Sequence, residues 1–193
     1  MNIIQSNIAN LPTKHGKFKI KAYKDEDQAQ EHLAIMSEDF ENIEVPFVRI
    51  HSECLTGDTL GSLKCDCQNQ LNLALDFIAK NGGLVIYHRQ EGRNIGLLNK
   101  INAYALQDKG RNTIEANIEL GFGEDDRDYG VVEHIFKDLD VKEVKLITNN
   151  PKKIEYVQGL GINIVERIPA ITKANEYNEL YLKTKKDHMG HML

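Results

Sequence analysis

The sequence predicts an α/β protein: a layered α/β/α domain built on a mixed sheet that is more antiparallel in its N-terminal third. Two observations lead to this prediction. Short runs of strand character fill the first third of the chain, and helical and strand patterns alternate beyond it. Alternating strands and helices typically form a sheet with helices packed on its faces. Because no repeat, low-complexity segment or linker interrupts the pattern, we expect residues 1–193 to form a single domain.

The first half of the chain contains four candidate strands and one helix. Strand character marks residues 18–23, 32–36 and 46–51. Apolar residues at helical spacing over 71–78 predict a helix that ends before the breaker at 81–83. The apolar run that follows, 84–87, predicts a buried strand.

The second half alternates between helix and strand. Apolar faces predict helices over 94–108 and 131–139, and 144–148 is typical of a strand. The Asn-Asn-Pro sequence at 149–151 is a helix-start signal, because Asn caps helices and Pro is tolerated at the first helical position. We expect a last strand over 162–168.

Composition and charge exclude several classes of protein. Hydrophobic residues make up 41% and charged residues 27%, as in an ordinary globular protein. We find neither an apolar stretch of about 18 residues, as a membrane span needs, nor a leader sequence. We therefore expect a cytoplasmic protein without a membrane partner. A net charge of -5 disfavours a nucleic-acid partner, although local basic clusters could still bind a phosphorylated small molecule.

The three cysteines, Cys54, Cys65 and Cys67, are the most informative residues of the chain. An odd number cannot pair completely within one chain, and in a reducing compartment such proximity indicates metal ligation. Catalytic zinc sites use three protein ligands and leave one position for water, whereas structural sites close all four positions. Three cysteines thus favour an open site, in which zinc lowers the pKa of water from about 15.7 towards about 7.

Spacing alone leaves two alternatives to a catalytic zinc site. His51 lies three residues before Cys54 and could be the fourth ligand of a closed, structural site. The cysteines could also be buried without any metal. The spacing by itself does not choose among these possibilities.

Polar residues also gather where two predicted strands end. The run 87–93 follows a strand, and ligands commonly bind at the carboxyl ends of strands in open α/β sheets. Glu91 could accept paired N–H donors, as a guanine edge offers, and the arginines could hold phosphate oxygens. The run 148–153 places two lysines at a helix N-terminus, where anions bind. Solvated loops and helix caps are the alternative for both runs.

Other features give weaker signals. The acidic loop 121–128 could bind a divalent cation beside phosphate, or it is a solvated turn. Tyr104, within 94–108, is either a core residue or a proton donor, and the helical position favours core. His188 and His191 could bind metal, although a structural role is the simpler interpretation. The phosphate-binding motifs GxxxxGK[ST] and GxGxxG are both missing from the sequence.

Together these motifs resemble GTP cyclohydrolase II, the family that begins riboflavin synthesis. The likeness runs from about Leu11 to 189–191 and rests on segments that occur in the family's order: RIHSECLTGD (49–58), CDC (65–67), HRQEGRNIGL (88–97), AN (116–117) and TNNPKK (148–153). The resemblance implies hydrolysis of GTP to 2,5-diamino-6-(5-phosphoribosylamino)pyrimidin-4(3H)-one, formate and pyrophosphate. It also implies a homodimer, and magnesium that accompanies the triphosphate.

The resemblance assigns roles to individual residues by matching positions. One zinc ion per chain would be held by Cys54, Cys65 and Cys67. Asp125 would be the proton acceptor, Arg127 the proposed nucleophile on the α-phosphorus, and Tyr104 an aid to ring opening. GTP would be contacted by Arg49, Ile50, His51, Ser52, Glu53, Gln70, Glu91, Gly92, Arg93, Thr113, Thr148 and Lys153.

Two points stay open at this stage. A guanidinium group remains protonated below a pH of about 12, so Arg127 fits the role of a phosphate clamp at least as well as that of a nucleophile. The reaction could also stop at a formamide or retain the phosphates, as in a paralogue, or the chain could be a non-catalytic zinc- or GTP-binding regulator.

At 193 residues we expect the single-activity form, without the fused dihydroxybutanone phosphate synthase domain that many relatives carry.

Overall fold

The computed structural model describes residues 2–26, 30–123, 125–187 and 189–192. The described strands are β1 (Ile3–Gln5), β2 (Ala9–Thr13), β3 (Gly16–Asp25), β4 (Glu31–Ser37), β5 (Phe47–Ser52), β6 (Gly83–His88), β7 (Glu143–Ile147) and β8 (Asn163–Ile168). The α-helices are α1 (Leu55–Asp58), α2 (Cys67–Asn81), α3 (Gly96–Gln107), α4 (Thr113–Glu119), α5 (Gly130–Asp138), α6 (Pro151–Gly159) and α7 (Glu179–Asp187). Short 3-10 helices cover Phe40–Asn42 and Glu91–Asn94.

The strands form one mixed sheet, as the sequence predicts. Its order is β1-β3-β4-β6-β5-β7-β8, and β2 pairs with β3 beside β1. The pairings of β3 with β1, β2 and β4, and of β4 with β6, are antiparallel. Strand β5 pairs in parallel with β6 and β7, and β7 with β8. The carboxyl ends of the four parallel strands therefore lie at one edge of the sheet.

Helices cover both faces of the sheet, which confirms the layered α/β/α arrangement. Alternate residues of β6 point to opposite sides, because successive side chains of a strand alternate. Leu84 and Ile86 join a core that includes residues of α5 and α6, such as Phe136. Val85 belongs to the opposite core, in which Ile78 of α2 is buried. Both clusters are packed against the centre of the sheet, which makes it a rigid platform for the loops at its edge.

The strands and helices predicted between residues 16 and 168 are confirmed to within a few residues, whereas several elements were not predicted. The unpredicted elements are β1, β2, α1, α4 and α7. Helix α4 has a capping box, in which Asn112 and Glu115 each bond the other's backbone N–H, and this is a signal readable from sequence. Strand β2 contains Pro12, which is tolerated because β2 pairs only with β3. Within the described residues, no helix is long and apolar enough to cross a membrane.

Candidate active site

A cavity opens where three parallel strands end. Strand β5 ends at Ser52, β6 at His88 and β7 at Ile147, and residues at these strand ends and in the segments that follow line much of the cavity. Ligands of open α/β sheets bind outside the carboxyl ends of strands, which is where this cavity lies. Other lining residues come from α3, α4, α6, the start of α2, Arg127 and the C-terminal residues beyond 180.

The cavity brings together most of the residues that the sequence predicts for the site. Its lining includes Arg49, His51, Ser52, Glu53, Cys54, Cys65, Cys67, Gln70, Glu91, Gly92, Arg93, Tyr104, Thr113, Arg127, Thr148 and Lys153. Ile50 and Asp125 lie outside it. The Ile50 side chain is 2% exposed and belongs to the hydrophobic core. Asp125 does not line the cavity, but it forms an ion pair with Arg127, which does.

The three cysteines form a compact sulfur cluster. Their Sγ atoms lie within 4.8 Å of one another, and those of Cys54 and Cys65 are 3.7 Å apart. Gly57 makes room for the cluster, because a Cβ at this position would lie 2.8 Å from the Cys65 sulfur and 3.1 Å from the Cys54 sulfur. Three adjacent thiol groups are a donor set that suits zinc, and this cradle fits such an ion.

Electrostatics in the cluster favour one thiolate at Cys54. Hydrogen bonds from the other two thiols, with a contribution from the Lys100 ammonium group, hold the pKa of Cys54 far below its usual range. The hydrogen bond to Cys54 raises the pKa of Cys65 to about 11, and the same cause raises that of Cys67. A divalent cation binds thiolates and releases their protons, so metal binding would ionise the other two sulfurs as well.

His51 does not belong to the sulfur cluster. Its Nε2 atom lies 3.1 Å from both carboxylate oxygens of Asp58, and its ring stacks on Tyr87 with 5.5 Å between centroids. Asp58 also accepts hydrogen bonds from the Tyr87 hydroxyl at 2.8 Å and from the Cys54 backbone N–H at 3.0 Å. Burial lowers the pKa of His51 despite the nearby carboxylate. His51 thus stabilises the cysteine loop indirectly, because Asp58 contacts both the imidazole and the Cys54 backbone.

Arg127 is held in place by hydrogen bonds on every guanidinium nitrogen. Nε donates to Asp125 at 2.7 Å, one terminal nitrogen donates to the same carboxylate, and the other donates to Ser52 Oγ at 2.7 Å. The guanidinium also lies over the Tyr129 ring, 5.5 Å from its centroid. Burial alone would lower the pKa of Arg127, but the Asp125 hydrogen bond raises it above the usual value. The group is a fixed, permanently charged fork.

Several cations converge on the same cavity. Lys153 is buried, and its Nζ donates to the Ile50 carbonyl oxygen at 2.7 Å. Burial, and then the charges of Arg127 and Arg49, lower the pKa of Lys153 well below its ordinary value. Arg49 donates to the Ile147 carbonyl at 3.1 Å and to the Gln70 side chain. Like charges this close repel one another, and a bound polyanion would relieve that repulsion.

The Glu91 carboxylate is already engaged by the protein. One oxygen accepts from the Leu55 backbone N–H at 2.6 Å, and the other accepts from Lys100 Nζ at 2.8 Å and from the Gly92 N–H at 2.9 Å. Gly92 and Arg93 both adopt left-handed backbone conformations, with φ of 62° and 63°. A guanine edge would have to share Glu91 with these donors.

Tyr104 faces the cavity instead of the core. Its hydroxyl lies 3.1 Å from Thr56 Oγ1, which is itself 3.6 Å from the Cys54 sulfur. Burial raises the pKa of the phenol, so the hydroxyl keeps its proton near neutral pH. Core packing, which the helical position favoured from sequence, is therefore not the environment of this side chain.

Residues that sequence reasoning did not assign to the site also line the cavity. They include Lys100, Asn149, Tyr181, Lys185, Met189 and His191. Lys185 Nζ lies 2.8 Å from the Asp66 carboxylate, and an Arg93 nitrogen lies 3.2 Å from the Met189 sulfur. Tyr181 and Lys185 lie one turn apart on α7, but no motif near them in sequence indicates contact with cysteines in the first half of the chain. His188, considered with His191 as a metal ligand, lies outside the described residues.

The acidic loop is built largely as a turn. Asp126 accepts from the Gly123 backbone N–H at 3.0 Å, and Asp128 accepts from the Gly130 N–H at 2.8 Å. Within the described residues, which do not include Glu124, the acidic side chains of this loop form no metal-ligating group. This loop reaches the cavity through Arg127.

Comparisons with known proteins agree with these features. The family model described as GTP cyclohydrolase II matches residues 5–169. The GTP cyclohydrolase-2 of Campylobacter fetus subsp. fetus is 58% identical over 193 residues, covering 100% of this chain and 97% of that protein. The GTP cyclohydrolase-2 of Campylobacter hominis is 56% identical, again over 100% of this chain and 97% of its own. That of Cronobacter sakazakii is 53% identical over 96% and 94%, respectively.

A solved structure is a much more distant match. It is a two-domain 3,4-dihydroxy-2-butanone 4-phosphate synthase from A. baumannii, 18% identical, with a TM-score of 0.45 over 88% of this chain and 40% of that chain. The family assignment rests instead on the family model and on relatives matched over nearly their whole length. The chain is an enzyme that belongs to the GTP cyclohydrolase II family.

Proposed function

We propose that this chain hydrolyses GTP to 2,5-diamino-6-(5-phosphoribosylamino)pyrimidin-4(3H)-one, formate and pyrophosphate, as the first step of riboflavin synthesis. One observation carries the proposal: a single cavity joins a three-cysteine cluster to a wall of buried cations. Opening the imidazole ring of guanine requires a hydrolytic centre, and cleaving the triphosphate requires positive charge. The cysteine cluster would supply the first and Arg127 and Lys153 the second, and the lining of one cavity by all of these residues supports the proposal.

The cysteine cluster would hold one zinc ion. When bound, zinc supplies a Lewis acid and an activated water for hydrolysis at carbon. The Tyr104 hydroxyl, placed beside Thr56 near the Cys54 sulfur, can donate or accept a hydrogen bond where the imidazole ring opens. We assign His51 a supporting role on the substrate side of the cavity; its contact with Asp58, which also accepts from the Cys54 backbone N–H, supports this assignment.

The cationic wall would bind the triphosphate. Arg127 keeps its proton, so we assign it the role of a clamp that stabilises charge on the α-phosphoryl group. Although burial raises the pKa of Asp125, the hydrogen bond from Arg127 lowers it below its ordinary value overall. To act as a proton acceptor, Asp125 would first have to exchange a hydrogen bond with Arg127. Lys153, Arg49 and Thr148 line the same region.

Magnesium would enter with the triphosphate. Magnesium usually keeps several waters and binds through substrate phosphates plus one or two carboxylates, and it does not require a dedicated protein cage.

We further propose that the chain acts as one domain and as a cytoplasmic homodimer. Light scattering coupled to size exclusion measures the mass of the assembly directly, and twice the 21.9 kDa of one chain is the expected result.

The test of this function is an assay of both products. Purified protein is incubated with GTP, zinc and magnesium, and formate and pyrophosphate are measured separately. We expect both in equal amounts. Formate without pyrophosphate would indicate a paralogue that retains the phosphates, and neither product from zinc-loaded protein would contradict the proposal.

Single cysteine variants test the proposed metal ligands in the same assay. Cys54→Ser, Cys65→Ser and Cys67→Ser should each abolish formate release, because each removes one of the sulfurs of the cluster. A serine hydroxyl is nearly isosteric with the thiol but is a poor zinc ligand. Substantial turnover by any one of the three variants would refute that ligand set.

A further inference from the structure

Lys100 is a buried lysine that the proposed chemistry does not yet use. It lies on α3 and its side chain is 10% exposed, although lysine is almost never buried unless it is paired. Its Nζ atom lies 3.1 Å from the Cys54 sulfur and 2.8 Å from Glu91 Oε1. The ammonium group thus bridges a cysteine of the sulfur cluster and a carboxylate on a neighbouring loop.

The surroundings hold the ammonium group in this position. Glu91 cannot turn away easily, because it also accepts hydrogen bonds from the Leu55 and Gly92 backbone N–H groups, at 2.6 and 2.9 Å. Leu55 follows Cys54 directly, so the same carboxylate fixes both the lysine and the backbone beside the cysteine. Lys100 has little freedom to leave the sulfur.

Cys54 is therefore held at two points. Asp58 accepts from its backbone N–H at 3.0 Å, and Lys100 donates to its sulfur at 3.1 Å. A hydrogen bond from a cation to a thiolate is charge-assisted, so it is stronger than a neutral one. It orients the sulfur and withdraws part of its negative charge.

That withdrawal matters in a site of three thiolates. Three thiolates carry three negative charges around a divalent ion, and this excess makes the ion less electrophilic. Groups that hydrogen-bond the ligands of a metal commonly change its affinity by about 10- to 100-fold when they are removed. Because the Lys100 ammonium group withdraws negative charge from one thiolate, it would leave the ion more electrophilic, which favours hydrolysis.

We propose that Lys100 is a positioning residue of the metal site, which orients the Cys54 thiolate and tempers its negative charge while Glu91 keeps the ammonium group in place. This inference rests on the proposed zinc site. It assigns Lys100 no direct contact with the substrate.

The test replaces Lys100 and measures metal binding apart from turnover. In Lys100→Met, zinc affinity, measured by competition with a chromophoric chelator, should fall by about 10- to 100-fold. With cobalt in place of zinc, the thiolate-to-metal charge-transfer absorption should shift, because its energy depends on the hydrogen bond to sulfur. Lys100→Arg keeps a charged donor and should restore most of the affinity and the original absorption.

Lys21, a half-buried lysine in an ion pair, offers a matched control. Lys21 Nζ pairs with Asp138 at 2.6 Å, and the two side chains are 14% and 18% exposed, against 10% each for Lys100 and Glu91. Both lysines also lie near a tyrosine ring, but Lys21 lies on β3, pairs with a residue of α5 and does not line the cavity that contains the cysteines. Lys21→Met should lower the free energy of unfolding about as much as Lys100→Met does, and it should leave zinc affinity and the cobalt spectrum unchanged.

The outcomes separate this inference from the proposed function. If the unaltered protein does not bind zinc, the proposed metal site itself fails. If it binds zinc tightly and Lys100→Met has the same affinity and cobalt spectrum, the role of Lys100 is refuted while the proposed function stands. If Lys100→Met does not fold, the Lys100→Met/Glu91→Gln double variant takes its place, because it also removes the carboxylate charge that the lysine neutralised. Zinc affinity and a cobalt spectrum unchanged from the unaltered protein would again refute the role of Lys100.

Discussion

Arg127 owes its fixed orientation to neighbours on three sides. Asp125 and Ser52 take its hydrogen bonds, and the Tyr129 ring supports the face of the guanidinium group. A planar fork held in this way presents its charge to a phosphate without reorganising, and such preorganised charge is what stabilises a transition state. The same contacts leave no unprotonated nitrogen to attack phosphorus, so geometry and acidity both favour a clamp.

Replacing Arg127 should separate the two halves of the reaction. In Arg127→Ala we expect pyrophosphate release to fall by about 100-fold or more, as when one preorganised donor is removed. Formate release should fall less, because the cysteine cluster is untouched. The measurement is parallel assay of the two products. Arg111→Ala removes an arginine that pairs with Glu119 at the surface and should leave both rates unchanged. Equal loss of both products in Arg127→Ala would argue against this division of labour.

Gly57 is required by the sulfur cluster for reasons of space. In Gly57→Ala the new methyl group would lie 2.8 Å from the Cys65 sulfur and 2.9 Å from the Cys67 Cβ. We expect the cysteines to be displaced and zinc affinity to fall by at least about tenfold, measured by chelator competition. Gly159→Ala is the control, because nothing lies within 4 Å of its added methyl group. Equal zinc affinity in Gly57→Ala and the unaltered protein would show that the cluster can relax.

At the scale of elements, the short helix α4 carries cavity residues and depends on its cap. Helix α4 contributes Thr113 to the cavity wall, and the loop before it ends at the capping residue Asn112. The Asn112 side chain accepts from the Ile114 and Glu115 backbone N–H groups, both at 2.9 Å. A seven-residue helix is too short to be stable without such help.

Removing the cap should loosen α4. Asn112→Ala is expected to lower the free energy of unfolding by about 1 kcal/mol, the usual value of an N-cap, as measured by urea denaturation. Asn112→Asp can accept the same two hydrogen bonds and should retain most of that stability. If the alanine and aspartate variants were equally stable, the cap would contribute nothing in this context.

Helix α7 brings the C-terminus to the cavity through an ion pair. Lys185 pairs with Asp66, which lies between two cysteines and also accepts from Gln70 Nε2 at 2.5 Å. Beyond the helix, the Met192 backbone N–H donates to the Asn149 carbonyl oxygen at 2.9 Å. These contacts join the last residues to the start of α2 and to the loop after β7.

We expect Lys185 to strengthen substrate binding more than turnover. Lys185→Met removes a cation from the cavity wall and the contact that holds α7, so the KM for GTP should rise by roughly fivefold or more, a loss of about 1 kcal/mol. The change in kcat should be smaller. Lys186→Met, at an exposed position of the same helix, is the matched control. An unchanged KM in steady-state assays of Lys185→Met would mean that α7 is not part of the binding site.

At the scale of the whole molecule, a column of four rings runs from the neighbouring strands β4 and β6 to α6, with the first two contacts stacked and the last tilted by 37°. Successive centroids of His32, His88, Tyr129 and Tyr156 are each 4.9 Å apart. His32 accepts from the Arg89 backbone N–H at 3.0 Å, and His88 contacts the Asp128 carbonyl at 2.9 Å. Burial lowers the pKa of His32 to about 4 and that of His88 to about 3.

This column should make the protein sensitive to acid. The unfolded chain binds these protons near pH 6.5, whereas the folded chain binds them only near pH 4 and 3. Because the unfolded state then carries more protons, stability is full above about pH 6.5 and falls as the pH drops towards 4 and 3. His88→Phe keeps a stacked ring but cannot titrate, so the pH dependence of its free energy of unfolding should be flatter, measured by urea denaturation between pH 7 and 4.5. An identical slope would exclude His88 as a source of acid sensitivity.

Much of this molecule could be predicted from its sequence because the relevant signals are local. Strand and helix periods over 18–168 predicted the layered architecture, and the proximity of Cys54, Cys65 and Cys67 in sequence indicated a cluster that could hold a metal, without choosing between a catalytic and a structural site. Ile50 shows the limit of such reasoning: it lies within a motif that resembles a GTP-contacting segment, yet its side chain points into the core. A linear motif names neighbours in sequence, but alternate residues of a strand face opposite sides of the sheet.

The sequence by itself determined the family, the order of the strands and helices predicted over 18–168, and which cysteines could form a metal site, since these depend on residue types and spacings along the chain. Tertiary structure alone decided what surrounds them. It placed Lys100 on the Cys54 sulfur, Asp58 on His51, and Lys185 beside Asp66, across separations of 46, 7 and 119 residues. Packing between distant elements sets such contacts, and no short-range pattern encodes which face of α3 or α7 will meet the carboxyl edge of the sheet.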